Sequence, residues 1–267
     1  MCSDSHMHTR FSGDSEADPE SMILASISKG LESICITDHE DMDYVCEGIE
    51  FIFGREEYFR TFSELREKYK DQIDLRIGVE IGLQPHLPER IHSFLKGYSF
   101  DYVIGSVHVI RGKDPYYRDF FDGRTDREAY REVLDETLTD ISCCPDFDAL
   151  GHLDYSVRYG THREEEYSYQ AFSDQIDEIL RFLVEHGKGL ELNTAGLKYG
   201  LPFAHPHPDI LKRYRELGGE IVTIGSDAHR EEHIAYGFDK VSGILEDCGF
   251  RYYAEFKNRE PVFRRIK

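Results

Sequence analysis

Short apolar runs alternate with amphipathic stretches along the whole chain. The run ESICITDH (32–39) follows a helical pattern that opens at Asp18-Pro19 and stops at Gly30. Proline suits the first helical turn and glycine the stop, so these residues bracket a helix. IDLRIGVE (73–80) follows the charged amphipathic segment 56–70, FDYVIGSVH (100–108) comes next, and a helix is predicted through 125–141. The alternation continues with FDALGHLD (147–154), a helix over 169–186, GLELNT (189–194), a helix over 208–217 and EIVTIGSDAH (220–229). Counting the opening segment, this makes seven strand–helix units, with RYYAEFKN (251–258) as an eighth strand or an edge element. Such alternation predicts an α/β fold on a parallel sheet, and periodicity alone leaves open whether the sheet closes into a barrel.

Composition narrows the class. At 267 residues with 40% hydrophobic content, the chain can bury one large core, and α/β barrels commonly reach this length as one unit. No repeat, low-complexity tract or linker divides it, so residues 1–267 are expected to form a single domain. A formal charge of −20 argues against a nucleic-acid partner, which needs a basic face. A small phosphorylated substrate remains compatible if the site carries its own positive charge. No apolar run approaches the roughly 18 residues of a membrane span, and no secretory signal is visible. The six cysteines are scattered without repeated C-x-x-C pairs, the pattern of reduced thiols in a cytoplasmic protein. Oligomeric state is not legible.

Chemistry-bearing residues cluster by position. His6 and His8 end the first predicted strand, His39 the second, Glu80 the third, His108 the fourth and His152 the fifth; Asp227 and His229 end the seventh. In a parallel α/β structure all strand C-termini open on one face, so these residues converge there. Imidazole and carboxylate together suit zinc, iron or manganese. Residues two apart on extended backbone point to the same side, so His6/His8 and Asp227/His229 each offer a pair. With Asp14 the candidates number nine, too many for one tetrahedral ion and enough for two or three. The pattern HREEH (229–233) matches an H-x-x-E-H protease motif, but its first histidine ends a strand rather than lying on a helix. The remaining histidines are expected at the surface, with a substrate contact conceivable for His205 and His207.

Taken together, HMH, TDH, GVE, SVH, GHLD and GSDAH resemble the ordered motifs of the PHP (polymerase and histidinol phosphatase) superfamily. Within it, GHLDYSVRYG, NTAGLK and ELGGEIVTIGSDAH are most similar to the bacterial histidinol-phosphate phosphatases. The resemblance runs from residue 6 to about residue 240. It implies a distorted (β/α)7 TIM-like barrel with a trinuclear metal site at the C-terminal ends of the strands. One ion would sit on His6, His8, Glu80 and Asp227; a second would share Glu80 and take His108 and His152; a third would take Asp14, His39 and His229. Several relatives have histidine where Asp14 stands, and a carboxylate there still ligates. The implied activity is hydrolysis of L-histidinol phosphate in histidine biosynthesis, by attack on phosphorus of a hydroxide that clustered cations generate at neutral pH.

Arg158, after the fifth strand, and Lys198, after the sixth, are the candidate phosphate clamps; similar enzymes favour arginine at the latter position, and lysine keeps the charge but loses the bidentate fork. Asp227 or a bound water is the candidate for protonating the leaving alkoxide. Asp41, Asp43, Tyr116 and Tyr117, in loops after the second and fourth strands, are candidates for reading the amine and imidazole of the substrate. Two other enzymes on the same scaffold compete, a phosphotyrosine-protein phosphatase and a nucleotide phosphoesterase. The long loops 109–124 and 155–168 argue against the first and the charge against the second. A polymerase-associated interaction module is the non-enzymatic alternative; such modules often lose ligands, and this chain retains all nine.

Overall fold

The computed structural model describes residues 3–266. Its elements run β1 (Ser3–Asp4), α1 (Pro19–Ser28), β2 (Ser33–Ile36), β3 (His39–Glu40), β4 (Val45–Cys46), β5 (Ile49–Glu50), α2 (Arg55–Tyr69), β6 (Asp74–Gly82) and α3 (Pro88–Leu95). There follow β7 (Tyr102–Ser106), α4 (Asp126–Cys143), β8 (Ala149–Leu150), α5 (Ser173–Glu185), β9 (Gly189–Asn193), α6 (Ala195–Lys198), α7 (Pro208–Glu216), β10 (Val222–Gly225), α8 (Phe238–Asp247), β11 (Tyr252–Lys257) and β12 (Glu260–Arg265).

Seven strands run in the order β1-β2-β6-β7-β8-β9-β10 in one parallel sheet, and β3 joins it as an eighth by pairing with β6 beyond the end of β2. A parallel bridge between Met7 and Ala228 and the Ser5 N–H bond to Ile224 O at 2.9 Å join the first strand to the last. The sheet is thus a nearly closed barrel with helices around it, as the alternating pattern requires. Strand β6 is buried along its last eight residues, where apolar Leu75, Ile77 and Val79 alternate with Arg76, Gly78 and Glu80. Helix α1 begins where Asp18 caps it, its side chain accepting from Ser21 N–H, and α4 is held by a Thr125/Glu128 capping box.

The RYYAEFKN segment is not an eighth barrel strand. It forms β11, paired antiparallel with β12, and this hairpin closes the end of the barrel opposite the strand C-termini. Phe256 stacks on Tyr102 at 4.9 Å between centroids, Arg76 pairs with Glu255 at 2.7 Å, and Arg259 reaches Asp146 and Asp148. Several short elements go beyond the sequence reading: α3, α6, α8, the β4–β5 hairpin and β12. The five described cysteines are free; Cys2 lies outside the described residues. Among the described residues no helix is long and apolar enough to cross a membrane.

Asp140, on α4, is buried with neither carboxylate oxygen hydrogen-bonded. Burial, reinforced by Glu136, pushes its pKa up to about 8 from 3.8. The folded chain therefore binds this proton across a window where the unfolded chain has released it. Its contribution favours folding below about pH 4 and is lost as pH rises towards 8. Asp140→Asn is expected to stabilise the protein increasingly across that window, by about 1–3 kcal/mol more at pH 9 than at pH 5.5. Thermal melts at the two pH values check this.

Candidate metal centre

Glu80 is the centre of the site. It sits two residues from the end of β6, fully buried, and its two oxygens face different histidines. Oε2 lies 3.1 Å from His6 Nε2, 3.4 Å from His8 Nε2 and 3.2 Å from His39 Nδ1. Oε1 lies 2.8 Å from His152 Nε2 and 3.3 Å from His108 Nε2. Burial alone would push its pKa up, but the His6, His39 and His108 rings outweigh that and hold it well below the usual carboxylate range.

The remaining candidates ring this carboxylate. Asp227 Oδ1 is 3.4 Å from His8 Nε2 and 3.5 Å from His229 Nδ1; despite its burial, His8, His6 and His229 keep it ionised. Asp14 Oδ2 lies 3.0 Å from His229 Nε2 and 3.8 Å from His39 Nε2, and these rings outweigh burial to depress its pKa. His152 and Asp227 both adopt positive φ, 32° and 54°, a conformation that costs energy outside glycine and collects at functional sites. All nine predicted ligands are therefore brought together at one end of the barrel.

The donor set fits divalent cations. Ring nitrogens of His6 and His8 face each other at 3.0 Å, a contact that a shared cation relieves. Burial, with His229 and His39, drives the His8 pKa down to about 3, leaving the neutral imidazole that metals bind. His39 Nδ1 and His229 Nε2 are buried with carboxylate oxygens within 3.2 Å, yet neither makes a well-aligned hydrogen bond, a state polar atoms avoid unless something else satisfies them. Four groups of ligand atoms lie within 4.8 Å of one another: His6/His8/Glu80, Glu80/His108/His152, His8/His39/His229 and His39/Asp41/His108. Such clusters could bind several metal ions.

Asp41 reaches the cavity wall and also backs two of the histidines. It is buried behind two histidines, with Oδ1 2.9 Å from His108 Nδ1 and Oδ2 3.2 Å from His39 Nδ1. Gly82 makes the room, since a Cβ there would stand 1.8 Å from Asp41 Oδ1. A glycine two residues past Glu80 was the available signal. Ser12 plays a similar part for His8, Oγ to Nδ1 at 3.0 Å. Such partners fix ring orientation and tautomer and raise ligand basicity.

The cluster opens into a cavity of about 540 Å³. Arg158 and Lys198 both line it. The Arg158 guanidinium lies over Tyr199, Tyr159 and Tyr155 at 4.4, 4.9 and 5.5 Å from the ring centroids, with a buried Nε that has no partner. Lys198 Nζ donates to Asp227 O at 3.0 Å, and burial lowers its pKa. Tyr116 and Tyr117 stand at the rim with Tyr44 and Asp114, and the Tyr117 hydroxyl meets Cys46 Sγ.

Two expectations need correction. Asp43 is not brought into the cavity: its backbone turns at φ 60° and its exposed carboxylate pairs with Arg90 at 2.6 Å and His86 at 3.0 Å. His205 is fully buried against Asp154 at 2.7 Å, off the cavity wall. The HREEH histidines do not share a helix. His229 follows β10, and Glu231–His233 is a single 3-10 turn, which removes the protease geometry.

Comparison with known proteins agrees with this geometry. The profile of the PHP domain family matches residues 4–195. The protein named "Probable histidinol-phosphatase" from Clostridium acetobutylicum is 36% identical over 98% of this chain and 96% of its own. The "Histidinol-phosphatase" of Lactococcus lactis is 32% identical over 97% of this chain and 98% of its own. A crystal structure of histidinol phosphate phosphatase from Lactococcus lactis, complexed with zinc, L-histidinol and phosphate, superposes with a TM-score of 0.89 over 97% of this chain and 98% of that one. The match over most of its length, with six ordered motifs folded into one ligand cluster, places this chain in the PHP domain family.

Proposed function

We propose that this chain is a metal-dependent phosphomonoesterase that hydrolyses L-histidinol phosphate to L-histidinol and phosphate. The observation that carries the reading is a cluster of nine histidine and carboxylate side chains, six of which line one cavity together with Arg158, Lys198 and a tyrosine-rich rim. Relatives that span nearly the whole chain carry the name of the same activity. We assign His6, His8, Glu80 and Asp227 to one ion, Glu80, His108 and His152 to a second, and Asp14, His39 and His229 to a third. When bound, divalent ions supply Lewis acidity toward phosphoryl oxygens and lower the pKa of water.

The chain's own residues do the rest. Arg158 and Lys198 line the cavity from the segments that follow β8 and β9, within reach of a phosphoryl group bound there. Their charge neutralises those oxygens, which is the chief demand of phosphoryl transfer. Because the Arg158 fork is braced by three aromatic rings, it meets the phosphate with little reorganisation. Asp227, held ionised by its neighbours, starts the reaction as a proton acceptor rather than a donor. It takes a proton from the attacking water and can then pass it to the departing alkoxide. Tyr117, with Asp114 and Tyr44, offers polar and anionic contacts to a cationic amine or imidazole at the rim. Free thiols throughout the described residues support the cytoplasm as the place of action.

The test is phosphate release from histidinol phosphate, phosphotyrosine and AMP after reconstitution with zinc, manganese or iron. A clear preference for histidinol phosphate in kcat/KM is expected. Equal or faster turnover of either other ester contradicts the substrate assignment.

A further inference from the structure

Strand β9 brings no candidate ligand to the cavity, alone among the seven barrel strands. Its inward residue Glu191 is nonetheless a carboxylate with 1% exposure inside the barrel, where an unpaired charge is costly. Glu191 Oε1 lies 2.6 Å from His6 Nδ1, on the far side of the ring from the Nε2 that meets Glu80 and His8. The carboxylate is itself held. Asn193 Nδ2 donates to Glu191 Oε2 at 3.1 Å, and Asn193 Oδ1 accepts from Ala195 N–H at 2.9 Å, which fixes which end of the amide points at Glu191. On the neighbouring strand the space is kept open by Gly225, where a Cβ would stand 2.4 Å from Glu191 Oε1 and 2.3 Å from His6 Cβ.

We propose that Glu191 is a positioning residue for the metal centre, holding His6 with its proton on Nδ1 and its Nε2 lone pair aimed at the ion. The inference rests on the reading above that His6 is a ligand. A fully buried imidazole has two tautomers and two ring flips, and only one arrangement presents Nε2 unprotonated beside Glu80. The anion behind the ring selects that arrangement and raises the basicity of the nitrogen in front. β9 thus contributes to the site through β1 rather than directly.

Zinc affinity, measured by competition with a chromophoric chelator on metal-free protein, decides the matter for wild type, Glu191→Ala, Glu191→Gln and His6→Ala. Glu191→Ala is expected to weaken the tightest affected site by about 10–100-fold. Glu191→Gln keeps an acceptor but loses the charge, so it should fall between that and wild type, a graded rescue that mere packing does not produce. The wild-type proton spectrum should also show a far-downfield N–H resonance assigned to His6 Nδ1, absent in both Glu191 variants. Unchanged zinc affinity in Glu191→Ala overturns the inference while leaving the metal centre standing. Unchanged affinity in His6→Ala removes His6 from the centre and the inference with it. If the Glu191 variants fail to fold, the wild-type spectrum decides alone, and a His6 proton found on Nε2 overturns the proposal.

Discussion

Glu80→Gln is expected to cut phosphate release from histidinol phosphate by roughly a thousandfold or more, since metal-assisted charge stabilisation supplies several kcal/mol and each 1.36 kcal/mol is tenfold in rate. No other residue touches so much of the site. Its two oxygens face five histidines at 2.8–3.4 Å, so the amide removes one anion from between two candidate ions at once. Glutamine preserves volume, and β6 is hydrogen-bonded on both sides by β2 and β7, so the barrel should remain folded by circular dichroism. Bound zinc, counted by elemental analysis after reconstitution, should fall by at least one equivalent. Full zinc content with near wild-type kcat would refute the central place given to this carboxylate.

Arg158→Ala is expected to lower kcat/KM by about 10²–10³-fold, the usual cost of losing a preorganised group that meets developing charge. Zinc content should not change, because Arg158 touches tyrosines rather than ligands. Arg158→Lys should recover part of the loss, since lysine keeps the charge but cannot offer a planar fork. Steady-state kinetics on histidinol phosphate with metal analysis of each variant separates a phosphate clamp from a structural cation. A parallel loss of metal and activity would mean that Arg158 supports the cluster instead.

The metal-binding face was legible because charged and imidazole side chains interrupt apolar strands, where nothing but a partner justifies them. The residues behind the ligands were harder. Glu191 carries the same signal as Glu80, a carboxylate among apolar residues, yet β9 ends at Asn193 with Thr194 after it, which disguised it as an ordinary strand end. Asp41 follows three ligating-type residues in TDHED and reads as loop; its burial depends on the contact with Gly82, forty-one positions away. Asp43 was placed with Asp41 because the two are close in sequence, but the turn at Asp43 sends the chain away from the cavity. The β4–β5 hairpin had a turn signal in Glu47-Gly48, both at positive φ, and was hidden by strands of two residues each. The C-terminal hairpin could not be placed from periodicity, because its alternation fits a barrel strand as well as a cap; its ion pairs with Asp146 and Asp148 settle the cap.

The central claim is that the clustered histidines and carboxylates act through metal. Phosphate release from histidinol phosphate should be followed on protein stripped by chelation, as zinc is added back in measured equivalents. Turnover is expected to be negligible without metal and to recover until it saturates after two to three equivalents. Full turnover by the stripped protein would contradict that claim.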